Sequence, residues 1–275
     1  MFLRWILGHP DLSKEERQVA ARFESQLVGQ YQRMANTYVS RFKTILNVDN
    51  AKELCLFYAA NRETRARYSD CIYPAAKRFI NQMFEAGAGS PKFSDALFLS
   101  GGAGSGKSVF QRFVDVTNRT LVLDGTLSSL RVAREQIGLC IACGKEVIIT
   151  HIFCPIENAV NAAINRALER GRVISIESLG STHFYAQYTL LELAIQYHER
   201  GQNVRFQILD NSDYKNPIQR DLPFLLKNRY SSLQVAQTLA KNALQNSFLL
   251  YEKEHGRRIP SFIEAGFRKK GRSVV

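Results

Sequence analysis

No stretch of this 275-residue chain approaches the roughly 18 consecutive apolar residues that a membrane-spanning helix needs, so no helical span is expected. The opening Met1-Phe2-Leu3-Arg4-Trp5-Ile6-Leu7 is apolar, but it is too short for a signal peptide and Arg4 interrupts it. Cysteine is scarce and odd in number, five in all, which argues for reduced thiols and a cytoplasmic protein. Histidine is equally scarce, also five, and His183 in Ser181-Thr182-His183-Phe184 has no acid or histidine cluster beside it, so a metal role for it is not expected. Cys140-Ile141-Ala142-Cys143 has C-x-x-C spacing but no second pair, and its apolar helical setting points to core packing. Internal repeats and low-complexity tracts are also missing.

Negative charge is in deficit, with 25 Asp and Glu against 37 Lys and Arg, a formal net charge of +12. Residues 213–275 hold twelve Lys and Arg against five Asp and Glu, and the densest cluster is Arg268-Lys269-Lys270-Gly271-Arg272. Such a field favours anionic partners without choosing among nucleotides, phosphorylated sugars, nucleic acid and acidic membrane surfaces. The cluster itself reads as a solvated tail. Hydrophobic content of 45% and charged content of 23% are those of an ordinary globular protein.

The most specific feature present is Gly101-Gly102-Ala103-Gly104-Ser105-Gly106-Lys107-Ser108, a complete G-x-x-x-x-G-K-[ST] octet. The apolar run Ala96-Leu97-Phe98-Leu99 precedes it and a helical pattern follows, the strand–loop–helix context the motif requires. Glycines let backbone N–H groups turn around a phosphate, and the helix N-terminus adds partial positive charge. Lys107 would reach the β- and γ-phosphates and the Ser108 hydroxyl would ligate Mg²⁺. Binding of a nucleoside triphosphate is therefore expected.

Around this octet, residues 1–90 read as helical. Ser13-Lys14-Glu15-Glu16 opens a long amphipathic run to about Leu46, followed by helices over Asn50–Tyr68 and Tyr73–Ala86. Gly87-Ala88-Gly89-Ser90-Pro91 marks a boundary. From Ala96 onward, apolar runs at 96–100, 120–124, 146–153 and 204–210 alternate with helical patterns at 107–118, 128–143, 155–170 and 176–200, the signature of a parallel sheet with helical crossovers. Residues 218–255 read as helix again, including Ser232–Tyr251. The expected organisation is an N-terminal helical region (1–90), an α/β three-layer P-loop kinase-like core with a parallel sheet (91–212), and a basic helical C-terminal extension (213–275).

Phosphoryl transfer also needs a carboxylate and cations that absorb charge on the moving group. Asp124, closing the run Thr120-Leu121-Val122-Leu123, is the best-placed acid, with Gly125 and Thr126 behind it. Its alternative is a cap on the helix beginning near Ser128. Asp210 ends a strand in the same way but reads as a turn former with Asn211 and Ser212. Arg166 and Arg170 lie one helical turn apart, away from the stripe of Ile156, Val160, Ile164 and Leu168. Arg172 follows Gly171, where a mobile lid over the phosphates would begin.

These residues resemble the zeta toxin family of P-loop kinases. Its Gly-Gly-x-Gly-Ser-Gly-Lys-[Ser/Thr] loop matches Gly101–Ser108, and its acid-Gly-Thr strand end matches Asp124-Gly125-Thr126. The strand ending near a proline matches Val147–Phe153 with Pro155, and the arginine-bearing lid segment matches Arg166 to Arg172. Asn47–Leu54 and Arg65–Ala76 resemble helices that precede the loop in larger members. The resemblance implies ATP and Mg²⁺ as cofactors, Lys107, Asp124, Arg166 and Arg172 as catalytic residues, Ser108 and Asp124 on the metal, and phosphorylation of a nucleotide sugar or another hydroxyl-bearing metabolite. It also implies an antitoxin-like protein partner. One departure stands out. Family members carry a further strand and helix, with the aspartate taken as base, between the P-loop helix and the acid-Gly-Thr strand. Here only about a dozen residues separate Ser108 from Thr120. Asp124 would then also orient the acceptor.

Two other readings stay open on the sequence: an ATP-driven switch acting on nucleic acid, motivated by the basic C-terminal quarter, and a degenerate kinase fold serving as an interaction module. The first lacks aromatic residues interleaved with its basic cluster.

Overall fold

The computed structural model describes residues 12–110, 117–199, 201–202, 204–214 and 216–269. The apolar opening at 1–7, the middle of the helix expected at 107–118, and Lys270–Arg272 of the basic tail lie outside them. The chain is an α/β protein whose six-stranded sheet carries helices on both sides.

Helix α1 (Lys14–Gly29) starts where the sequence places it. Ser13 accepts from the Glu16 amide and the Glu16 carboxylate accepts from the Ser13 amide, a reciprocal pair that satisfies two otherwise unpaired donors. The long run expected to continue to Leu46 instead breaks into α1 and α2 (Tyr31–Phe42) and then turns into a strand, β1 (Ile45–Asn47). Two short helices follow, α3 (Val48–Lys52) and α4 (Leu56–Ala59). The two helices expected over 50–86 resolve differently, because α5 runs unbroken from Arg62–Ala88 with Pro74 inside it. Its buried stripe, which includes Cys71, Ile72, Ala75, Phe79 and Ile80, holds it together across that proline.

The sheet continues with β2 (Asp95–Ser100), β3 (Thr120–Asp124), β4 (Glu146–Phe153), β5 (Val204–Asp210) and β6 (Ile218–Arg220), in the order β1-β3-β2-β4-β5-β6. All neighbours are parallel except β5 and β6. Alternation along the strands sorts the core onto two faces. Ala96, Phe98, Leu121, Leu123, Val147 and Ile149 face α5 and α7 (Leu130–Ala142), with the Phe84 and Phe98 rings edge to face at 5.8 Å. Leu97, Leu99, Val122 and Ile152 face the other way, towards Phe110 of α6 (Lys107–Phe110). A second apolar cluster joins α8 (Ile156–Arg170), α9 (Ile176–Glu199), α11 (Leu233–His255) and α12 (Ser261–Arg268). The predicted stripe of Ile156, Val160, Ile164 and Leu168 lies in it.

The segment expected to be helical from 218 is interrupted: β6 and α10 (Leu222–Lys227) precede α11. In the basic cluster, Arg268 pairs with Glu264 at 2.9 Å and Lys269 lies 3.9 Å from Asp70. Among the described residues no helix is long and apolar enough to cross a membrane.

β1 has the largest bearing on the site. It extends the sheet beyond β3 in register Ile45↔Val122, Leu46↔Leu123, Asn47↔Asp124. Residues inside the region expected to be purely helical thus belong to the sheet. The fully buried Tyr38 fixes this strand: its hydroxyl donates to the Ile45 carbonyl at 2.8 Å and accepts from the Asn47 amide at 2.8 Å.

Candidate active site

Because β1 to β5 run parallel, their C-terminal ends share one edge, where ligands bind in open α/β sheets. That edge carries Asn47, Asp124, Ser100, Phe153 and Asp210. The glycine loop leaves β2 there, between the ends of β3 and β4.

The loop is pinned by side chains from several elements. Thr182 Oγ1 accepts from the Ala103 amide at 3.1 Å, and His183 Nε2–H donates to the Ala103 carbonyl at 3.0 Å. The His183 ring lies flat against Gly102, where any Cβ would fall within about 2.3 Å of ring atoms. Asn211 Nδ2 donates to the Ser105 carbonyl at 2.8 Å. Gly104 takes φ +80°, and a Cβ there would stand 2.4 Å from the Ala159 carbonyl of α8. The position therefore requires glycine on both conformational and steric grounds. The Lys107 ammonium folds into the loop, donating to the Gly101 and Gly102 carbonyls at 2.6 and 2.8 Å. Burial lowers its pKa to about 8, against the attraction of Asp124, which raises it. The amides of Gly104, Gly106, Lys107 and Ser108 donate to no acceptor among the described residues. A rigid loop with inward cation and available N–H groups is a fitting cradle for a polyphosphate.

Asp124 ends β3 as expected and is buried, 5% exposed. It is not a helix cap: Ser129 stands at the start of α7, and Asp124 Oδ2 accepts from Asn47 Nδ2 at 2.7 Å. Ser108 is exposed at the start of α6. A hydroxyl and a carboxylate, both hard oxygen donors on the rim beside the loop, fit Mg²⁺. Among the described residues no group of three or more His, Cys, Asp or Glu forms a metal cage. Asp210 is the turn former expected from its neighbours, accepting from the Ser212 amide at 3.0 Å and from Arg220 Nε at 3.3 Å.

The arginines divide. Arg170 is exposed, whereas Arg166 is half-buried, and its charge acts on both Lys107 and Asp49. Arg172 reaches the site too, but not as a mobile lid. Its Nη2 is held 2.9 Å from Glu53 Oε1, and Glu53 is clamped from the other side by Arg65 at 3.0 and 3.2 Å. The Nε atoms of Arg166 and Arg172 are buried without a hydrogen-bond partner among the described residues. Cys140 is buried and Cys143 exposed, so only the first packs in the core.

Sequence reasoning missed Asn47, Asp49, Glu53, His183 and Asn211. Asn47 caps α3 by accepting from the Asp49 and Asn50 amides while its amide group holds Asp124. Asp49 pairs with Lys52 at 2.6 Å. Burial would raise its pKa, but Lys52, Arg166 and Arg172 outweigh burial and hold the carboxyl far below the usual carboxylate range.

Two buried histidines underlie the loop. His151 on β4 is hydrogen-bonded through Nδ1 to Ser100 Oγ at 3.1 Å. Burial, with Lys107 and His183 adding to it, pushes His151 down to about 3; burial, opposed by the Ala103 carbonyl, pushes His183 down to about 4. Their folded values lie below the ordinary value near 6.5, so the unfolded chain takes up their protons first as pH falls. Stability is therefore expected to be full above about pH 6.5 and to drop by roughly 2–4 kcal/mol between pH 7 and 5. Guanidinium melts at the two pH values measure this, and equal midpoints would contradict the burial of neutral imidazoles.

In comparison with known proteins, no family model matches the sequence and no curated protein matches it.

Proposed function

We propose that this chain is an ATP-dependent phosphotransferase of zeta toxin-like type, built on a P-loop kinase core, that moves the γ-phosphoryl group of ATP to a hydroxyl of a small metabolite. One observation carries the reading. The octet Gly101–Ser108 lies at the C-terminal edge of a parallel sheet, with Lys107 turned into the loop and the amides of Gly104, Gly106, Lys107 and Ser108 available. In this reading the loop amides and Lys107 hold the β- and γ-phosphates. Ser108 and Asp124 would hold Mg²⁺, which when bound neutralises charge on the phosphate oxygens. Arg166 and Arg172, whose buried Nε atoms have no hydrogen-bond partner among the described residues, stabilise charge on the transferring group. Asp124 is buried and Lys107 half-buried, an arrangement that limits access of water on the Asp124 side of the loop.

The test is direct. The protein, ATP and Mg²⁺ are incubated with a total metabolite extract, and products are resolved by mass spectrometry. The expected result is one metabolite that gains a phosphoryl group in step with ADP release. Binding of no nucleotide in calorimetry with ATP, GTP or their diphosphates would remove the foundation of the reading.

A further inference from the structure

We propose that Asp49 is the carboxylate that contacts the acceptor hydroxyl and takes its proton during transfer, an inference that rests on the phosphotransferase reading. Two acids stand on the rim, Asp49 and Asp124, and their surroundings assign them different tasks. Asp124 is 5% exposed, and its Oδ2 is engaged by Asn47. An acceptor arriving from solvent does not reach it easily. The Asp49 side chain is 36% exposed, and only its Oδ1 is paired, with Lys52; Oδ2 accepts no hydrogen bond among the described residues.

Placement supports the assignment. Asn47 links the two positions, accepting from the Asp49 backbone amide at 2.7 Å and donating to the Asp124 carboxylate at 2.7 Å. That single side chain ties the turn carrying Asp49 to the strand end beside the glycine loop. Lys107, Arg166 and Arg172, the groups assigned to the phosphates, all interact electrostatically with Asp49. Asp49 is thus tied through Asn47 to Asp124, within reach of the charges of the groups assigned to the phosphates, and is the more exposed of the two acids.

The step balances without a further reactant. As the acceptor oxygen forms its bond to the γ-phosphorus, its proton passes to Asp49 Oδ2. The bond between the γ-phosphorus and the β,γ-bridging oxygen breaks, and ADP leaves with that electron pair. Asp49 then returns the proton to solvent through its exposed side. The transition state of such transfers is loose, so a carboxylate of low basicity suffices to orient the hydroxyl and accept the proton late.

The experiment compares the wild-type chain with Asp49→Asn and Asp49→Glu, using γ-labelled ATP with a total metabolite extract for transfer and a non-hydrolysable ATP analogue for binding. In Asp49→Asn, labelled product is expected to form about 10²-fold more slowly while analogue affinity stays within about twofold. Asp49→Glu, which keeps a carboxylate, is expected to retain more transfer than the amide. Transfer by Asp49→Asn at the wild-type rate overturns this inference and leaves the phosphotransferase reading intact. So does a parallel loss of analogue affinity and transfer, or an equal loss in the Asn and Glu variants, because Asp49 would then serve only the architecture. No labelled product from the wild-type chain ends the phosphotransferase reading, and this inference with it.

Discussion

On the proposed phosphotransferase reading, ATP raises the melting temperature of the wild-type chain, and Lys107→Ala is expected to abolish that rise and to lower phosphoryl transfer by about 10³-fold or more. The structure separates this loss from damage to the fold. The Lys107 ammonium sits in a buried loop where desolvation already lowers its pKa to about 8. Its bonds at 2.6 and 2.8 Å to the Gly101 and Gly102 carbonyls offset that cost without adding a large surplus. Removing the ammonium therefore costs the ligand-free protein little. The loop itself is held by Thr182, His183 and Asn211, none of which depends on Lys107. Thermal melts with and without nucleotide read both halves: a ligand-free melting temperature close to wild type, and a nucleotide-induced shift that vanishes. A shift that survives in Lys107→Ala would mean that nucleotide is held elsewhere.

The largest loss of stability is expected from Gly171→Ala. Gly171 ends α8 at φ +71° and ψ 12°, in the left-handed region, and its amide closes the helix onto the Ala167 carbonyl at 2.8 Å. A Cβ there would stand 2.1 Å from the Arg62 carbonyl and 2.5 Å from its Cα, at the first turn of α5. Backbone lies on both sides, so no flexible side-chain end can move aside. The left-handed conformation and the collision together are expected to cost roughly 3 kcal/mol or more, about 6–10 °C in melting temperature for a chain of this size. Function should suffer beyond that. Arg172 is the next residue, and Arg62 Nη1 donates to the Leu168 carbonyl at 2.7 Å, so separating α8 from α5 shifts the guanidinium that Glu53 holds. Transfer is expected to fall further than nucleotide affinity. A Gly171→Ala protein that melts with the wild type would show that α5 and α8 are not in such close contact.

Much of the sheet was legible because its central strands β2, β3 and β4 are covered on both faces. The runs 120–124 and 146–153 are largely apolar, 204–210 alternates at Val204-Arg205-Phe206-Gln207 before Ile208-Leu209, and their ends coincide with β3, β4 and β5. The glycine loop was legible for a different reason: its chemistry is contiguous, so eight neighbouring residues carry the whole pattern. β1 escaped because three residues are too few to display alternation, and Ile45-Leu46 reads equally well as the end of a helical stripe. The expected break between Tyr68 and Tyr73 did not occur because burial of Cys71, Ile72, Ala75 and Ala76 against the rest of the core outweighs local propensity. The rest of the site was hidden by distance along the chain. Asn47, Asp49 and Glu53 come from one end of the sequence, His183 and Asn211 from the other, and no local spacing relates them to residues 101–108. Arg172 was singled out from its place after Gly171, but its tether was invisible, since Glu53 lies 119 residues away.

The contact between Asn47 and Asp124 spans 77 residues, and that between Asn211 and Ser105 spans 106. During synthesis, Asn47 leaves the ribosome long before the strand that receives it, and Asn211, the prop beneath Ser105, arrives later still. A nascent chain thus carries Asn47 and Asp49 through an extended interval in which Asp124 and Asn211 have yet to emerge. The same wiring makes the stretch ahead of β2 part of the rim: a protease cut between Asn47 and Arg62 would sever β1 from α5 while leaving the glycine octet untouched.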